Sequence, residues 1–162
     1  MRRLLLAICL LCVPLNAAAT PELAAQWGYK AADLHAETSD LISQIDQGEL
    51  PTFNPEFLYE VERFAINASR LGHWIEQTGS APDLGCIFRG MAAEGELQLE
   101  ALDTSSGQGE TRAALRRLAS MFADAEVIAV ASSRRTYVAT GRSKTAPAAC
   151  PASAEAALYA LR

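Results

Sequence analysis

The sequence is poor in the residues from which catalytic and metal sites are built. Its 162 residues include two histidines, His35 and His73. They fall on different predicted helices, and neither has a histidine or a carboxylate four residues away. That spacing excludes the His-Glu-x-x-His arrangement of zinc peptidases, and the Glu-x-x-His pairs of di-metal bundles are missing. No Gly-rich phosphate loop, Gly-x-Ser-x-Gly elbow or Cys-x-x-Cys-His haem attachment is present. Met91 lies on an apolar stripe, where methionine ordinarily fills space rather than ligating haem. The expectation is therefore a non-catalytic protein with no metal and no cofactor. Beyond the N-terminus no run of 18 apolar residues exists, which excludes a later membrane-spanning helix. An excess of acid, with a formal charge of −5, argues against nucleic acid as a partner.

What is present begins with a targeting signal. Met1-Arg2-Arg3 is a short basic segment, and Leu4 to Leu15 is an apolar stretch too short to span a bilayer. Ala17-Ala18-Ala19 supplies the small residues that a signal peptidase requires. Cleavage after Ala19 makes residues 1–19 a signal peptide and residues 20–162 one exported domain, expected in a bacterial periplasm. The 143 residues left are enough for a single core. Loss of Arg2 and Arg3 takes the formal charge from −5 to −7.

Two of the four cysteines leave with the signal, and no Cys-x-x-Cys then remains. The remaining pair, Cys86 and Cys150, in an oxidising compartment reads as one structural disulfide.

The hydrophobic pattern has helical period throughout. Leu23, Trp27, Ala31, Leu34, Thr38, Leu41 and Ile45 form one stripe, which predicts a helix over 21–47 with Gly48 as its stop. Asn54 caps a second helix with Pro55 at its first position, and Phe57, Val61, Phe64, Ala68, Leu71 and Ile75 form its seam. A third begins near Asp83 with the seam Leu84, Phe88, Met91, Gly95, Gln98, Leu102. A second apolar strip, Cys86, Gly90, Ala93, Leu97 and Ala101, lies beside that seam. A helix apolar on most of its circumference is expected to be central. The fourth starts near Glu110, and its stripe from Thr111 to Ser132 favours helix over two short strands across 127–138. Ser153 caps a short last helix over 154–161. Four amphipathic helices with short connections predict an all-α up-down-up-down four-helix bundle, with the C-terminal helix pinned by the disulfide. In that topology the start of the third helix and the end of the fourth share one end of the bundle, where Cys86 and Cys150 would meet.

Charge is uneven. Residues 20–60 carry eight acids and one base, whereas residues 105–162 carry four acids and eight bases. In a four-membered ring the first and fourth helices are neighbours, so the asymmetry reads first as pairing between them.

The third helix holds the unusual site. Gly95 and Gln98 occupy seam positions, and Glu94 projects between the two apolar strips. A buried carboxylate and amide need partners. Gly90, Glu94, Gly95 and Gln98 read as a notch for a ligand or partner. The other reading, and the favoured one, is a close helix approach at Gly90 and Gly95 with Glu94 bonded to an Arg or Tyr of the neighbouring helix. His73, Trp74, Arg112 and Arg116 form a second candidate partner surface. The expected function is binding of another periplasmic protein, as an inhibitor, immunity-type or adaptor protein would. The alternative is a small-ligand- or metal-binding bundle.

Overall fold

A computed structural model describes residues 21–78, 82–133, 150 and 152–155. Four helices account for nearly all of them: α1 Pro21–Asp46, α2 Pro55–Thr78, α3 Pro82–Thr104 and α4 Gln108–Ser133. The chain is an up-down-up-down bundle. Each helix packs on its two neighbours in the ring, and the backbones of the diagonal pairs α1/α3 and α2/α4 stay apart. The expected signal segment, Arg134, Arg135 and residues 142–149 and 151 of the connector lie outside the described residues. Of the expected last helix only Ala154 and Glu155 are described, and both are helical.

The ends of the helices follow from local chemistry. Gly48, at φ +83°, terminates α1. Its N–H donates to the Ile45 carbonyl and the Glu49 N–H to the Gln44 carbonyl, the paired bonds of a Schellman stop. Asn54 Oδ1 accepts the Glu56 N–H at 3.0 Å, satisfying a donor that the first turn of α2 leaves without an intrahelical partner. At the start of α4, Glu110 reaches back to accept both the Ser106 N–H and its hydroxyl. These bonds hold the Glu110 carboxyl below its ordinary pKa.

The core is the sum of the four stripes. Ala31, Val61, Phe64, Met91, Leu115, Leu118 and Phe122 are all fully buried. One aromatic from each helix meets at the centre. Trp27 of α1 stacks on Phe64 of α2 at 4.8 Å, Phe88 of α3 meets Trp27 edge-on at 5.0 Å, and Phe122 of α4 meets Phe64 edge-on at 5.1 Å. Thr38, on the α1 stripe, is buried because its hydroxyl donates to the Leu34 carbonyl within its own helix.

The four seams are unequal. Gly28 lies so close to Ala129 that a Cβ there would sit 2.5 Å from the alanine methyl. Gly72 and Gly85 bring α2 against α3: a Cβ on Gly72 would meet the Gly85 carbonyl oxygen at 2.7 Å. Absent side chains let backbones approach at these crossings. The bundle is thus two tight pairs, α1/α4 and α2/α3, and the α1/α2 seam is the slackest of the ring.

One expectation needs correction. α3 is not central; it holds one corner of the ring like the others. Its broad apolar face is instead divided among α2, α4 and the C-terminal segment. Cys150 reaches Cys86 at disulfide distance, with Cα atoms 4.9 Å apart, and closes over the beginning of the second strip. Further along that strip Ala93 is exposed and Leu97 is 56% exposed. The possible strands over 127–138 are helix as far as Ser133, and residues 136–138 lie outside the described residues.

Candidate functional site

Glu94 and Gln98, the polar residues on the apolar side of α3, are both hydrogen-bonded. Glu94 Oε1 accepts the Arg117 Nε–H at 2.8 Å and the Gln98 amide N–H at 3.1 Å. Its side chain is 14% exposed, while that of Arg117 is 67% exposed. The Glu94 carboxylate bond, then its charge, pushes the Arg117 guanidinium above its ordinary pKa. Gln98 is buried, with its amide turned back one helical turn onto Glu94. Gly95 points elsewhere: a Cβ there would lie 3.2 Å from the Ala65 methyl of α2. Gly90 is buried and lines a shallow depression with Glu94, Leu97 and Arg117, closed on one side by Cys150, Ala152 and Ser153. Arg89 at its edge forms an ion pair with Glu76 and donates to Cys150 Sγ at 3.5 Å. Gly90, Glu94, Gly95 and Gln98 therefore do not open into one notch. Gly95 serves the α2/α3 contact, and Glu94 is occupied by two donors.

The second predicted surface is also divided. His73 and Trp74 lie near the end of α2, with His73 exposed and its ring nitrogen 2.8 Å from the Gln77 amide. Arg112 and Arg116 lie near the start of α4, at the opposite end of the bundle and on the diagonal helix. Arg112 forms an ion pair with Asp46 at the end of α1, so part of the basic character of α4 is spent on its acidic neighbour. Among the described residues no group of three His, Cys, Asp or Glu side chains could hold a metal ion. None of the described helices is long and apolar enough to cross a membrane.

The structure assembles instead a site at the slack α1/α2 seam. A half-open groove of about 580 Å³ runs between these helices. That volume falls in the usual range for small-molecule sites. Its apolar wall is Trp27, Phe64, Leu71 and Trp74, so both tryptophans of the chain border it. Its polar wall comes from α2 at helical spacing, Glu60, Arg63, Asn67 and Arg70, with Gln26 and Lys30 facing from α1. Lys30 Nζ lies 2.9 Å from Glu60 Oε2, and Arg63 Nη1 lies 3.0 Å from Glu60 Oε1. Arg63 also sits over the Tyr59 ring at 5.5 Å. Arg70 makes no ion pair among the described residues. The indole N–H of Trp27 is buried and has no acceptor among the described residues.

Glu60 ties the two helices together at one end of this groove. The Lys30 hydrogen bond is the largest influence on its carboxyl; partial desolvation opposes it, and the charges of Lys30 and Arg63 reinforce it, for a net pKa below the ordinary 4.5. A carboxyl lowered on folding stabilises the fold above its unfolded pKa, and that contribution is lost as pH falls through the folded value. Acid titration of stability should therefore show a loss beginning near pH 4.5 that Glu60→Gln reduces. The difference should not exceed about 1 kcal/mol, because the Lys30 partner is largely solvated. Urea unfolding at pH 7 and pH 3 of both proteins measures it.

The groove was not legible in the sequence. Trp27 lies on the α1 stripe and Trp74 near the end of α2, and no pattern along either helix tells that the two border one space. The ladder Glu60, Arg63, Asn67, Arg70, Trp74 on α2 is the one signal that could have found it. Compared with protein-family models, with curated proteins and with solved structures, the chain matches none.

Proposed function

We propose that this chain is a non-catalytic, exported binding protein whose α1/α2 groove holds a small ligand. The observation that carries this reading is the groove itself: a concave, half-open space with an aromatic floor and a few convergent polar groups. Such composition is the usual one for ligand sites, where apolar area gives affinity and placed polar groups give orientation. The N-terminal signal supports export to a periplasm, and the cysteine pair is in keeping with an oxidising compartment.

A protein partner is the second reading. It is favoured by Leu97, more than half exposed at the end of the apolar strip on α3 and adjacent to the Glu94–Arg117 pair. A single leucine with an alanine beside it is a small patch, however, and scattered exposed apolar residues are ordinary. The groove is the more enclosed of the two and gathers more polar groups against an aromatic wall.

The test is recovery of the natural occupant. Protein purified from its native compartment is extracted with organic solvent, and the extract is compared by mass spectrometry with that from Trp74→Ala. The expected result is a compound at near-stoichiometric level in the wild type and at least fivefold depleted in the variant. Equal recovery from both proteins, or none from either, would overturn the groove as the site.

A further inference from the structure

We infer that the α1/α2 groove selects an organic anion with an apolar body: one carboxylate or phosphate headgroup on an acyl or aromatic portion. This rests on the groove being the binding site and adds the chemistry of what it takes.

Three cations line the groove, Lys30, Arg63 and Arg70, against one acid, Glu60. The space is therefore locally positive on a chain whose formal charge is −5. Local charge opposite to the sign of the whole molecule favours entry of an anion specifically at this place. The cations differ in availability. Lys30 and Arg63 are both bonded to Glu60, and Arg63 is held further by the Tyr59 ring. They form a fixed frame bridging the two helices. Arg70 has no such commitment among the described residues. A guanidinium presents a planar fork that matches a carboxylate or phosphate through two parallel bonds. It stands one helical turn from Trp74, and Leu71 follows it, so headgroup and body contacts adjoin on one face of α2.

The apolar wall sets the other half of the specificity. Leu71 and Trp74 at the open side of the wall, with the buried Trp27 and Phe64 behind them, form an apolar surface that suits an acyl chain or a flat ring and gives a naked inorganic ion no apolar contact. Asn67 and Gln26 supply amide donors on the polar side.

Both tryptophans border the site, so intrinsic emission reports its occupancy directly. The purified protein is titrated with decanoate, decyl phosphate, decyl maltoside and decyltrimethylammonium, each below its micelle threshold, with circular dichroism recorded at the endpoint. The two anions are expected to shift tryptophan emission and to bind at least tenfold more tightly than the neutral and cationic amphiphiles. Preference between decanoate and decyl phosphate then distinguishes a carboxylate from a phosphate headgroup. Arg70→Ala should weaken both anions at least fivefold without changing decyl maltoside, and Arg116→Ala, on exposed α4, should bind as the wild type does. Equal binding of neutral and anionic probes overturns the charge selectivity while leaving the groove as the site. Emission that responds to none of the four, or weakening by Arg116→Ala equal to that by Arg70→Ala, overturns both.

Discussion

Replacing Phe64 with alanine is expected to lower the unfolding free energy by about 3–5 kcal/mol, the cost of removing a fully buried phenyl ring. Several effects act together at this position. The ring loses its burial, and the space it leaves borders Trp27, which stacks on it, and Phe122, which meets it edge-on. Each such aromatic pair contributes roughly 0.5–1.5 kcal/mol beyond burial. Relaxation is restricted, because the four helices each place one aromatic in this cluster and two of the seams are fixed by glycine crossings that cannot close further. Phe64→Leu should lose much less, about 1.5 kcal/mol or below, since volume and apolarity are largely kept. Urea unfolding followed by circular dichroism measures both. A loss under 1 kcal/mol for the alanine variant would mean that the aromatic cluster does not hold the bundle together.

Opening the Cys86–Cys150 link is the other large effect. The two residues are 64 apart in sequence, and a loop of that length contributes about 4 kcal/mol by the chain-entropy account. Cys86 is buried within α3, so replacing it would also disturb packing. Cys150→Ser is the cleaner variant, because Cys150 belongs to the C-terminal segment outside the four helices. Its unfolding free energy should fall by about 4 kcal/mol relative to the oxidised wild type, and reductant should lower the wild type to nearly the same value while leaving the variant unchanged. Alkylation followed by mass measurement gives the direct check: neither cysteine should react before reduction, and both should react after it and unfolding. Two reactive thiols in the untreated protein would remove the basis for the effect.

Such a link also bears on the predicted notch. Cys150, Ala152 and Ser153 close one side of the depression that Glu94, Leu97 and Arg117 border. Reduction would release that wall without touching the Glu94–Arg117 pair, which belongs to α3 and α4 alone.

Much of the local structure follows from short-range chemistry and was readable in advance. Gly48 is the only described residue with positive φ, and it stands where the α1 stripe ends. Asn54 and Pro55 mark the start of α2 to the residue. The polarity of Glu94 and Gln98 within an apolar face announced that partners were required, and an arginine of the neighbouring helix is one of them. The basic fourth helix does meet the acidic first, through Arg112 and Asp46. The topology that brings Cys86 to Cys150 also puts the end of α2, with His73 and Trp74, at the opposite end from the start of α4, with Arg112 and Arg116, so these four side chains do not share one surface.

The amino-acid pattern by itself determined four helices, the stop of α1 and the start of α2, the ring order and the meeting of Cys86 with Cys150, because each depends on periodicity, capping or topology along one chain. Only the tertiary structure decided where the bundle is open. That depends on how closely each pair of helices approaches. Gly28 against Ala129 and Gly72 against Gly85 draw the helices into two tight pairs, and the bulk of Trp27 against Phe64 stands at the seam left between them. An inter-helix distance is a property of two faces in contact, and neither stripe carries it alone.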